Sequence, residues 1–147
     1  MASLILSSEL AAYKQAINDH FDTFKRSITV HKEPIKNILQ NTTNQLLGYQ
    51  EDSNIVDYTY TPRNQTFDAI INYNLSKENL QIDDEIKLKF PNQIVEIKVK
   101  ENAKNYINQD ITEKITFDDK TFNLISTDIV KNYQGLIYYV YYLNETK

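Results

Sequence analysis

Ile115-Thr116-Phe117-Asp118-Asp119-Lys120-Thr121-Phe122-Asn123-Leu124 alternates apolar and polar residues on either side of a short polar break. Such alternation places apolar side chains on one face of a strand, and a break of this kind between two alternating runs is the signal for a hairpin. A two-residue loop at Asp119-Lys120 pairs Phe117 with Phe122 and Ile115 with Leu124, which keeps the apolar set together. The chain is therefore expected to be built from hairpins.

A second hairpin is read just upstream. With Phe90 to Gln93 as a four-residue loop, Leu88 faces Val95 and Ile86 faces Ile97. On the other face, Lys87 meets Glu96 and Glu85 meets Lys98. A slip of one residue would destroy both the apolar and the charged pairing. Val56, Tyr58 and Tyr60, then Pro62-Arg63-Asn64, then Phe67, Ala69, Ile71 and Tyr73 read as a third hairpin turning at the proline. The run Leu136 to Leu143 carries large side chains on both faces and is expected to be central or covered. Glu101 to Gln109 is compatible with a helical turn or a crossing loop.

The N-terminal part follows a different period. Leu10, Tyr13, Ile17, Phe21 and Phe24 recur every three or four residues, which predicts an amphipathic helix over about 8–26, capped by Ser7 or Ser8. Ile28 and Val30 then alternate as a strand that Pro34 is expected to stop. The Asn-rich stretch from 33 to about 53 reads as a long loop, and the β-rich body runs over 54–143. The expected architecture is a single domain over 1–147, mainly β. It is a small antiparallel β-barrel or sandwich with the helix packed outside.

Composition limits the chemistry. There is no cysteine, hence no disulfide and no thiolate, and two glycines leave little with which to build a phosphate cradle. The formal net charge of -4 argues against a surface that grips nucleic acid. No apolar run approaches the length of a membrane span, and no secretory signal is visible. His20 and His31 lack partners at metal-ligand spacing, so neither a metal nor another cofactor is expected. Asp83-Asp84-Glu85 and Asp118-Asp119 fall where turns are required, and turn-forming aspartate accounts for them without acid-base catalysis. The four Asn-x-Ser/Thr sequons, at Asn41, Asn64, Asn74 and Asn144, are no more than sixteen asparagines produce by chance.

What remains is adhesive. The expected subunit interface comprises the apolar tip Leu4, Ile5 and Leu6, the loop anchors Leu46, Leu47 and Tyr49, and the strand tyrosines Tyr139 and Tyr141. Three phrases carry a resemblance: Phe24 to Pro34, Leu47-Gly48-Tyr49, and Tyr58-Thr59-Tyr60-Thr61-Pro62 followed by Phe67 to Tyr73. With the Ile115 to Ile125 hairpin, they resemble small neck proteins of tailed bacteriophages, of the head-closure or head-tail connector kind. That resemblance implies a non-enzymatic virion protein, assembled in the host cytoplasm into a homo-oligomeric ring. Its neighbours would be a portal or adaptor ring and the tail or adjoining neck proteins, with DNA passing nearby without specific binding. The alternative is a β-sandwich module that recognises a protein or glycan through surface tyrosines.

Overall fold

The computed structural model describes residues 6–39, 57–73 and 94–146. Among these residues two helices and seven strands follow in the order α1 (Ser7–Phe24), β1 (Arg26–Leu39), β2 (Asp57–Asn72), β3 (Ile94–Val99), α2 (Glu101–Gln109), β4 (Thr112–Phe117), β5 (Lys120–Leu124), β6 (Ile129–Tyr133) and β7 (Leu136–Thr146). Six strands form a closed antiparallel barrel in the order β3-β2-β1-β4-β5-β7, and the β3–β7 pairing seals it. β6 joins β7 beside the stretch that β5 occupies, from Ile129↔Val140 to Tyr133↔Leu136. Closure removes the sheet edges that an open sheet would expose.

The alternation read from the sequence fills the interior. Ile28 and Val30, Phe67 and Ala69, Val95, Ile97 and Val99, Ile115 and Phe117, Phe122, and Tyr141 and Leu143 form one buried cluster. Phe117 and Phe122 stack at 4.1 Å. α2 adds Ala103 and Ile107 to this cluster, and Tyr106 packs against Phe67. The Glu101 to Gln109 stretch is thus a helix, whose short apolar side, three and four residues apart, covers the barrel core.

β7 is covered on both faces, as its composition implies. Tyr138, Val140 and Tyr142 lie on the opposite side from Tyr141 and Leu143, and all five are buried. On the outer side, Phe21 of α1 stacks on Tyr138 at 5.2 Å, and the Tyr138 hydroxyl donates to Asn18 Oδ1. Ile94, Ile125 and Ile129 cover Val140 and Tyr142. The helix therefore packs outside the barrel, but through its C-terminal half. Phe21 alone of its apolar stripe is buried, whereas Tyr13 and Phe24 are exposed.

Several local expectations are corrected. The helix starts one residue earlier than either serine could cap it: Leu6 is the cap, and its N–H donates to Glu9 Oε2. Pro34 does not stop β1, which runs on to Leu39, so the expected loop begins at least seven residues late; residues 40–53 lie outside the described residues. Residues 57–72 are one continuous strand rather than a hairpin, because Pro62 lies opposite an irregularity in β1 where no ladder bond is lost. The hairpin at 115–124 turns one residue earlier, at Asp118-Asp119, so Phe117 faces Lys120 and Ile115 faces Phe122. Both aspartates have positive φ, 51° and 59°, as a two-residue turn of this hand requires, and aspartate accepts that conformation more readily than lysine. Moving the turn by one residue displaces each partner by two, so every side chain keeps its face.

Residues 85–93 of the other hairpin lie outside the described residues, but its expected register is excluded by β3 itself. Glu96, Ile97 and Lys98 pair with Asn72, Ile71 and Ile70 on one edge and with Tyr142, Tyr141 and Val140 on the other. No edge remains at which Ile86 could face Ile97. Alternation fixed the inward face of β3 correctly but could not choose its partner.

Truncating the stacked core ring tests this account. Phe122→Ala is expected to lower stability by about 3–5 kcal/mol, whereas exposed Val130→Ala stays within about 0.5 kcal/mol. Urea denaturation measures both.

Candidate interaction surface

β1 and β2 are longer than the barrel. β4 accompanies β1 only from Thr29 to Lys32, and β3 accompanies β2 only from Ala69 to Asn72. Beyond these, Ile35 to Leu39 pair with Thr61 to Asp57, and among the described residues no third strand joins them. The result is a two-stranded ribbon that leaves the barrel.

Alternation on the ribbon sorts its side chains. Lys36, Ile38, Tyr58 and Tyr60 share one face, while Ile35, Asn37, Thr59 and Thr61 share the other. The Lys36 ammonium lies 3.5 Å from the centre of the Tyr58 ring, and Asn37 donates to Thr61 Oγ1. Ile38 is 61% exposed, Tyr60 59%, Ile35 47% and Tyr58 44%. Single exposed apolar residues are ordinary, but Ile38, Tyr58 and Tyr60 lie together on one face of a narrow ribbon, with Ile35 on the other, and the shared face has the aromatic character that protein interfaces favour.

The ribbon is joined to the barrel at a polar knot. Between Lys32 and Ile35, β1 holds one more residue than β2, which sets Glu33-Pro34 against Pro62. Lys32 continues the inward alternation of Ile28 and Val30 and is only 3% exposed. Its ammonium donates to Ile107 O at 2.8 Å, Asp110 O at 2.6 Å and Thr112 Oγ1 at 2.8 Å. Three donors thus meet three acceptors, two of them carbonyls at the C-terminal end of α2, where the helix dipole favours a cation. Burial pushes this lysine below the usual range, with Asp110 opposing and Arg63 reinforcing the shift. Arg63 faces Lys32 across the ladder. Its Nε and Nη2 donate to Glu33 O, and Nη1 donates to Asp110 Oδ2 at 2.8 Å.

Of the residues expected at an interface, Leu6 is exposed at the start of α1, while Leu4, Ile5, Leu46, Leu47 and Tyr49 lie outside the described residues. Tyr139 is half-buried beneath the Lys104 ammonium. Tyr141 is corrected: it is fully buried in the barrel, with its hydroxyl donating to Asn108 Oδ1, and so belongs to the chain's own core. Alternation on a strand covered on both faces cannot distinguish core from contact. The sequence does not single out the ribbon residues Ile35, Ile38, Tyr58 and Tyr60, because Pro34 and Pro62 read as strand ends, whereas both strands run through them.

The other candidate chemistry is occupied structurally. His20 packs against Phe24, and His31 Nε2 meets Thr116 Oγ1 at 3.0 Å. Asp118 accepts the Arg26 guanidinium and the Tyr73 hydroxyl, tying the hairpin tip to the ends of β1 and β2. Asp83-Asp84-Glu85 lie outside the described residues. Among the described residues no three His, Cys, Asp or Glu side chains converge as a metal site. A cleft of about 160 Å³ lies between α1 and the barrel, lined by Ile17, His20, Ile70, Lys98 and Tyr133. Lys98 there is held by the Tyr133 hydroxyl at 3.3 Å. No protein-family model, curated protein or solved structure matches the chain.

Two measurements follow from this geometry. Lys32→Met leaves Asp110 O without its buried donor and is expected to cost about 1–3 kcal/mol in urea denaturation. Burial also raises the Tyr138 and Tyr141 hydroxyls above the ordinary value of 10.0, so the native state retains their protons more tightly than the unfolded chain. Their stabilisation is complete below pH 10.0 and is lost as pH rises through the raised values, so ionisation read by ultraviolet absorbance should coincide with unfolding.

Proposed function

We propose that this chain is a structural protein of a tailed-phage neck, a subunit of a ring between portal and tail that helps close the DNA-filled head and attach the tail. The observation that carries this reading is the β1–β2 ribbon, which presents Ile35, Ile38, Tyr58 and Tyr60 away from a barrel that has already completed its own core. A closed barrel is a rigid body suited to packing side by side, and a ribbon extending from it reaches a neighbour. The net charge of -4 agrees with a conduit that DNA crosses without being held. The role is non-enzymatic and uses no cofactor; its partners are copies of itself and the adjoining portal, adaptor or tail proteins.

The test uses the phage that encodes the chain. Stopping translation of this gene should yield separated heads and intact tails in negative-stain electron micrographs, with emptied heads if the ring closes the channel. Supplying the wild-type chain should restore whole particles. Supplying Tyr58→Ser/Tyr60→Ser should not, although its thermal unfolding is expected to match the wild type because both side chains are exposed. Normal virions without the protein would overturn the neck role and leave a binding module that recognises a protein or glycan through the same tyrosines.

A further inference from the structure

We propose that the cleft between α1 and the barrel binds a small aromatic carboxylate, with the ring in its apolar end and the carboxylate on Lys98. Three separate parts of the chain enclose it: Ile17 and Phe21 from α1, Ile70 and Lys98 from β2 and β3, and Tyr133 and Tyr138 from β6 and β7. The aromatic walls hold one another in place, since Phe21 stacks on Tyr138 at 5.2 Å and Tyr133 meets Tyr138 edge to face at 6.1 Å. The volume of about 160 Å³ suits one aromatic ring, as an apolar cavity of ~150 Å³ is enough to take up benzene.

Lys98 sets the charge of the ligand. Its neighbours across the two ladders are Ile70 and Val140, so the half-buried ammonium rises from an apolar floor. It donates to the Tyr133 hydroxyl at 3.3 Å and lies 5.4 Å from the centre of that ring. Among the described residues it forms no ion pair with a carboxylate. An ammonium has three donors, and a hydrogen bond from it to a carboxylate is stronger than one to a phenol. His20 stands where the cleft opens into a wider space of about 440 Å³ that also holds Arg26, Asn72 and Glu96. Arg26 is already engaged by Asp118. Glu96, two residues from Lys98 on the same face of β3, repels further negative charge, so the site favours a single carboxylate over a dianion such as phosphate.

Amide NMR titration of the whole chain with phenylpropionate tests the site. Saturable shifts are expected at Ile70, Lys98 and Tyr133, with Thr116 and Phe122 unmoved. Phenethylamine, which carries the same ring on a cation, should bind at least about tenfold more weakly. Lys98→Met keeps the stem and removes the charge, and should weaken phenylpropionate by about tenfold or more. Ile17→Trp fills the apolar end and should abolish the shifts. If that variant unfolds, Lys98→Met carries the test. Absence of saturable shifts in the cleft, equal binding of the amine, or undiminished binding by folded Lys98→Met would each overturn the proposal. Because binding is read on the isolated chain, its failure is separate from failure of the neck role.

Discussion

The closed ladder is the constraint on which the other features depend. Each barrel strand must satisfy both edges, and β7 meets that condition by pairing with β3 on one edge and with β5 and β6 along the other. Because β3 is sealed between β2 and β7, the interior is defined on every side, and alternate residues of six strands meet in one cluster. α2 then lies across the core it helps to bury, and its C-terminal carbonyls fall where Lys32, at the end of the inward row of β1, can reach them. A lysine inside an apolar barrel would be costly without those acceptors. Here it links helix, barrel and ribbon.

The ribbon follows from a mismatch in length. β1 and β2 have 14 and 16 residues, whereas β3 and β4 have six each, so the longer pair outruns its neighbours. The chain has two arginines, and each ties distant segments together: Arg26 holds the hairpin tip through Asp118, and Arg63 joins β2 to Glu33 O of β1 and to Asp110 after α2. Arginine suits both places because its fork can serve two acceptors at once, which the ammonium of a lysine does less well.

The inward faces were legible because period-two alternation is a local property. Val95 and Ile97, Phe117 and Phe122, and Phe67 and Ala69 all point as read. Partners were less legible, because pairing depends on closure, which no local pattern encodes; β3 shows this most plainly. Two prolines misled the reading of the ribbon. Pro34 and Pro62 oppose each other at the one place where the ladder is already interrupted, so each sits in a strand at little cost. Ile35 and Ile38 therefore read as loop residues, and Tyr58 and Tyr60 as one strand of a short hairpin. Tyr141 misled in the opposite sense, since its ring fills the barrel and its hydroxyl finds Asn108, a pairing visible only once α2 is placed.

The two facing prolines also bear on solubility. Long strands with open edges and exposed apolar side chains are templates on which further chains can pair without limit, and that open-ended stacking is how sheet proteins precipitate. Residues that cannot donate, placed where the ribbon leaves the barrel, break the row of backbone groups that an incoming strand would have to match. Lys36 places a charge in the middle of the same face. Exposed apolar side chains on the ribbon therefore do not by themselves make it a seed for aggregation.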